Sequence, residues 1–167
     1  MALSLHETSV PALKRSLRAL CAILGKASEY AASRKIDPGV LLNARLYPDM
    51  FPLVRQVQIA SDLAKGCAAR LGKIDIPSYA DDETSFAALQ QRIGRTIDFI
   101  DSVDAAAIDA SEDSAIVLKL REREVTFTGK TYLLAWVLPN FYFHAATAYD
   151  ILRHNGLEIG KKDFLGE

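Results

Sequence analysis

Leu53, Val57, Ala60, Ala64, Cys67 and Leu71 follow one another at steps of four, three, four, three and four. A helix puts such a series on one face, because 3.6 residues complete a turn. Ala60, Ala64 and Cys67 are small, so a second helix can approach this seam closely. Asp49 is the expected N-cap of the segment, with Pro52 in its first turn, and Gly72 ends it. The same spacing recurs in three other stretches. Residues 10–34 carry Leu13, Leu17, Leu20, Leu24 and Ala31, with Thr8 or Ser9 as cap and Pro11 in the first turn. KIDPG then stops that helix, since a residue before proline avoids the α region. A third helix follows the acidic run DDET and presents Phe86, Leu89, Ile93, Ile97 and Ile100.

The fourth begins near Lys130, with Thr128 as cap. Its first half, YLLAWVL, is apolar all round and is expected to be enclosed on every side. Pro139 removes a backbone donor and predicts a kink, and Asn140 is placed to satisfy the freed groups. Asn155-Gly156 closes the helix, and the tail LEIGKKDFLGE is expected to wrap the body.

Between the third and fourth helices the period changes to two. Ile116, Leu118 and Leu120 alternate, as do Val125 and Phe127, which predicts a β-hairpin turning near Glu122. One hairpin is marginal alone and must lie against the helices. The fold class is therefore all-α, a four-helix bundle with a small hairpin, in a single domain over residues 1–167. The linker LLNARLYP leaves room for a crossover connection.

Composition excludes several functions. Twenty basic and 21 acidic residues give a net charge of −1, so no single-sign field draws nucleic acid or an anionic membrane. The longest uncharged apolar run, residues 132–138, is too short to span a bilayer. MALSLHETSVPALKR lacks the pattern of a signal peptide. Cys21 and Cys67 form no CxxC pair, and reduced, buried thiols in the cytoplasm are the simplest reading.

The stretch LPNFYFHAATAYDILRHNG holds His144 and His154. Ten residues rise ~15 Å along a helix, so the two cannot share one ion. At three or four residues from His144 stand Phe141, Asn140, Thr147 and Ala148, none a strong ligand. His144 falls on the stripe of Phe141, Ala145, Ala148, Ile151 and Leu152. It is either a buried histidine with both nitrogens hydrogen-bonded or a pocket acid, base or ligand. Gln56 poses the same choice inside the second helix's apolar stripe: a bridge to backbone or to the Pro139 kink, or a pocket residue. His154 suits the negative end of the helix dipole, and His6 lies in a terminus expected to be mobile. On another face, Tyr142, Ala146, Tyr149 and Arg153 recur at steps of four, three and four. With Trp136 they are interface candidates for a homodimer, unless the hairpin or tail covers them. GxSxG, HExxH, P-loop and GxGxxG motifs are absent. ARLYPDMFPLVRQ gathers Arg45, Tyr47, Asp49 and Arg55 at a helix start, either an anion corner or a capped, salt-bridged one.

LNARLYPDMFPLVRQVQIASDLAKG and LPNFYFHAATAYDILRHNGLEIGKKDFLG resemble the signatures of an uncharacterised domain-of-unknown-function family of the DinB/YfiT-like superfamily. The likeness covers nearly the whole chain. It implies an up-down-down-up bundle, often dimeric. It also implies, in many members, a divalent metal held by one histidine on helix two and an HxxxH pair on the last helix, and in some a thiol-dependent transferase or isomerase activity. Here MFPLVRQVQIASDLAKG contains no histidine, and His144 has no partner four residues away. Two readings follow. One is a metal-free, dimeric bundle without a cofactor, binding a small-molecule ligand through Gln56, Asn140 and His144 with Tyr142 and Asp49. The alternative is a divergent metalloenzyme related to thiol-S-transferases, with a zinc or nickel ion on His144 and on Asp49 or Asp62.

Overall fold

The computed structural model describes residues 3–120 and 123–167. The turn expected near Glu122 lies outside the described residues. Helix α1 spans Leu5–Arg34 and starts earlier than its apolar stripe suggests. Ser4 caps it: its hydroxyl accepts from the Glu7 N–H at 3.1 Å, and the Glu7 carboxylate accepts from the Ser4 N–H at 3.3 Å. Thr8 and Ser9 are therefore inside the helix, donating to the Ser4 and Leu5 carbonyls at 2.8 and 2.6 Å. His6 belongs to the first turn rather than to a loose terminus, and Pro11 sits in the helix interior. The helix ends where Lys35 turns left-handed at φ 56°. KIDPG does more than stop it. Asp37 accepts from the Gly39 N–H at 2.7 Å and caps a second, short helix, α2, at Pro38–Leu42.

Helix α3 spans Leu53–Leu71, with Pro52 in the capping position and no side-chain cap. Asp49 is not the cap; it lies in an exposed turn. Phe51 precedes a proline and is kept out of the α region, so the helix cannot reach back to Asp49. The stripe Leu53, Val57, Ala60, Ala64, Cys67 and Leu71 is wholly in the core. Gln58, Ser61 and Lys65, on the opposite side of α3, are buried too. Residues 73–85 lie over that side as a strap, and Ser85 then caps α4, Phe86–Asp101. A short helix, α5, Ala105–Asp109, precedes the antiparallel strands β1, Ala115–Leu120, and β2, Arg123–Thr128. Ala115 lies opposite Thr128, and Leu120 opposite Arg123.

Thr128 caps α6, Gly129–Thr131, which begins the last long helical run. Gly129 is required there, since a Cβ would stand 2.1 Å from the Ser111 carbonyl oxygen. Tyr132–Val137 then widen into a π-helix before α7, Leu138–His154. Pro139 has no N–H for the preceding turn, and the helix answers with a wider turn ahead of it. Asn140 donates to the Trp136 carbonyl at 2.6 Å, close to the break as the sequence suggested. YLLAWVL is not enclosed on every side: Tyr132, Leu133 and Val137 are buried, but Leu134 is 51% exposed. An apolar run alone does not reveal which side its neighbours leave open.

Gly156, at φ 92°, turns the chain out of α7. Leu157 and Ile159 are buried, and α8, Lys161–Leu165, lies on α1, where Arg15 donates to the Leu165 carbonyl at 2.7 Å. The described residues thus form a mainly helical protein with a two-stranded antiparallel hairpin. Helix α3 packs on α4 and α7, and α1 packs on α4 and α7. Gln90 donates to the Cys21 carbonyl and Lys14 pairs with Asp101. Arg70 donates to the Tyr132 hydroxyl at 3.1 Å, and Gln56 meets His144.

Candidate functional site

Helix α3 carries polar groups on two sides, and each side meets a different partner. On one, Arg92 of α4 is completely buried between Leu89 and Ile93. Its guanidinium donates to the Ala80 carbonyl and to Glu83 Oε1, both at 3.0 Å, and pairs with Asp62 and Asp81 at 2.9 and 3.0 Å. Gln58 donates to the second Glu83 oxygen at 2.8 Å. Lys65 pairs with Asp62 at 3.0 Å and lies over the Tyr79 ring. Arg55 pairs with Asp81 and donates to Gln58 at 3.1 Å. Burial pushes the Glu83 carboxyl up, but hydrogen bonds from Gln58 and Arg92 outweigh it and hold the group below its ordinary range.

This network ties the strap to α3 and α4. Its carboxylates are held by cations of the same chain, so it closes on itself. The sequence reading missed it. The signal was an arginine three residues after Leu89 and one before Ile93, inside an apolar stripe, with an acidic run just upstream.

On the other side, Gln56 is buried and His144 of α7 is half-buried. His144 Nδ1 stands 2.6 Å from Gln56 Oε1, and the Gln56 amide donates to the Phe51 carbonyl at 3.0 Å. Gln56 therefore bridges to backbone and to the imidazole, not to the Pro139 kink. The Phe143 ring meets the imidazole edge-on at 5.2 Å between centroids and is 56% exposed. Burial, then the nearby Arg55 charge, keeps the imidazole pKa below its ordinary value. Nε2 has no hydrogen bond to a described residue. The fully buried side-chain atoms without a partner are Ser61 Oγ and Arg92 Nε among the described residues. Nε2 is not one of them. The expected histidine with both nitrogens bonded is half realised: one is held and the other is open.

The other candidates do not converge on this pair. Asn140 turns to the Trp136 carbonyl, and Asp49 is exposed. Tyr142 packs edge-on against Phe141 at 5.4 Å and lines a cavity of about 200 Å³ with Arg15 and Phe164. Tyr149 packs on Phe164 at 5.8 Å, and Arg153 donates to the Leu157 carbonyl at 3.3 Å, both contacts with the tail. Trp136 stacks at a tilt on Phe127 of the hairpin at 5.9 Å. Arg45 donates to the Met50 carbonyl within the loop before α3, while Arg55, in the first turn of α3, pairs with Asp81 of the strap.

A three-histidine metal site does not fit these residues. His144 offers one open nitrogen, and the group bonded to its ring is the Gln56 amide. Asp62 is held by Arg92 and Lys65. Among the described residues no group of three or more His, Cys, Asp or Glu side chains is placed to hold a metal ion. Cys67 is buried, which pushes its thiol up to about 12, and Cys21 is half-buried. Among the described residues no helix is long and apolar enough to cross a membrane.

Residues 5–165 match the model of a family described as a domain of unknown function, DUF1993. A crystal structure of a DinB family member protein from Shewanella denitrificans is 40% identical. The match covers 98% of this chain and 92% of that one, with a TM-score of 0.88. No curated protein matches the chain. A family match over nearly the whole length, joined to a close likeness in fold and sequence, places the protein: the chain belongs to the DUF1993 family of DinB-like domains.

Proposed function

We propose that this single-domain protein binds a small ligand at the Gln56–His144 pair, with one imidazole where metal-dependent relatives would use three. The observation that carries this reading is the open Nε2 of a half-buried, oriented histidine beside an exposed aromatic ring. Buried polar groups normally find partners, and here one ring nitrogen is held while the other has no hydrogen bond to a described residue.

The bundle order up-down-down-up is part of this proposal. Gln90 at Cys21 and Asp101 at Lys14 support α4 running against α1. His144 at Gln56 and Tyr132 at Arg70 support α7 running against α3. The strap bonds at Arg55 and Gln58 bring the start of α4 to the start of α3, which supports those two running together. The protein works in the cytoplasm, a reading supported by its two unbridged cysteines. It works as a homodimer, with Tyr142 and Arg153 as the more exposed members of the interface set.

A fragment library screened by thermal shift tests the site. Fragments that stabilise the wild type are expected to lose that effect in His144→Ala. Hits that stabilise both proteins equally overturn the site.

A further inference from the structure

Gln56 makes two hydrogen bonds, and together they determine where the proton on His144 sits. The Phe51 carbonyl can only accept, so the group facing it at 3.0 Å is the Gln56 NH₂. The carboxamide oxygen is thereby turned toward His144 Nδ1 at 2.6 Å. That oxygen can only accept as well, so Nδ1 carries the hydrogen. A neutral imidazole has one N–H, and Nε2 is left with its lone pair and no hydrogen bond to a described residue. The opposite tautomer would set two lone pairs against each other at 2.6 Å.

We infer that Gln56 is a positioning residue that locks His144 as the Nδ1–H tautomer, so that the ligand contributes an uncharged O–H or N–H donor to Nε2. This deepens the ligand-site reading above and rests on it for the ligand, though not for the tautomer. A carboxylate, phosphate or carbonyl oxygen would bring a second acceptor to a nitrogen that is already one. The nearby Arg55 charge disfavours a cationic donor. The exposed ring of Phe143, edge-on to the imidazole, favours a donor carried on an apolar or aromatic body.

The test is a long-range proton–nitrogen correlation spectrum of the ¹⁵N-labelled full chain at pH 8. His144 is assigned by its loss in His144→Ala. His6 and His154, whose rings make no hydrogen bond to a described residue, serve as internal references. His144 is expected to show the pure Nδ1–H pattern in the wild type. Gln56→Ala is expected to shift it toward the references, while Gln56→Glu keeps the pattern and raises the imidazole pKa. An Nε2–H pattern in the wild type overturns the lock and needs no variant to interpret. So does an unchanged pattern in a folded Gln56→Ala protein.

Phenol and anisole, which differ in the O–H, test the ligand class. Phenol is expected to move the Nε2 signal and anisole not to. Equal shifts from both overturn the donor requirement and leave the site standing. No shift from either, with the Nδ1–H pattern intact, overturns the ligand-site reading and leaves the tautomer lock standing.

Discussion

The two sides of α3 solve opposite problems with similar residues. On the strap side, Arg92 is buried among Glu83, Asp62 and Asp81, with Lys65, Gln58 and Arg55 completing the set. Nearly every donor and acceptor there meets another from the same chain. On the α7 side, Gln56 and His144 make a two-residue contact that leaves one nitrogen open. The dense cluster has the more eye-catching charges, and most of them are paired with one another. The sparse pair leaves an imidazole nitrogen without a described partner. Density of charge marks what holds this fold together, and an unpartnered lone pair on a held ring marks the proposed ligand site.

Removing the keystone of the dense side should have the largest effect. Arg92→Ala leaves Glu83, Asp62 and Asp81 without their shared cation, and breaking a buried pair costs about 3–5 kcal/mol. In a domain of this size that lowers the melting temperature by on the order of 10 °C. Urea unfolding checks it. A loss below ~1 kcal/mol would mean the network does not hold the strap, and the contrast drawn here would fail.

The sparse side should cost less. Gln56→Leu strands His144 Nδ1 and the Phe51 carbonyl. The expected loss is about 1–3 kcal/mol, the penalty for buried groups left unpaired. If the same unfolding assay gives a loss equal to that of Arg92→Ala, the pair is as structural as the network.

Acid separates the two regions by pH window. His144 has a lowered folded-state pKa. The unfolded chain takes up that proton first, so stability is full above about pH 6.5 and falls as pH drops toward the folded value. Glu83 is also lowered, and the same reasoning places its loss below about pH 4.3, again on acidification. In a stability–pH profile, His144→Ala should flatten the upper slope and Glu83→Gln the lower. A single slope removed by both variants would merge the regions. The smallest effect is expected at the exposed pair of Lys130 and Glu112, 3.0 Å apart, where Lys130→Ala should change stability by ~0.5 kcal/mol or less.

The long helices and the two-stranded hairpin were legible because burial writes its period into the chain: the α3 stripe from Leu53 to Leu71 is entirely in the core. Helix ends were less legible. Asp49 looked like a cap, but Phe51-Pro52 forbade the helix from reaching it; Ser4 with Glu7 capped α1 well ahead of the periodic apolar stripe that begins at Leu13. At the site, periodicity put His144 and Gln56 on inward stripes but could not pair them, since they are 88 residues apart and meet through packing. The Arg92 network was hidden for the same reason, its partners lying on α3 and on an aperiodic strap. Asn140 could be read because its job is local, one turn from the Pro139 break.

The central claim is that His144 works as a single oriented imidazole and not as part of a metal centre. Metal analysis of the chain purified without an affinity tag, paired with melting curves with and without chelator, tests it most directly. The account predicts substoichiometric metal and an unchanged melting temperature. Stoichiometric zinc, nickel or manganese, lost together with stability in His144→Ala, would contradict it.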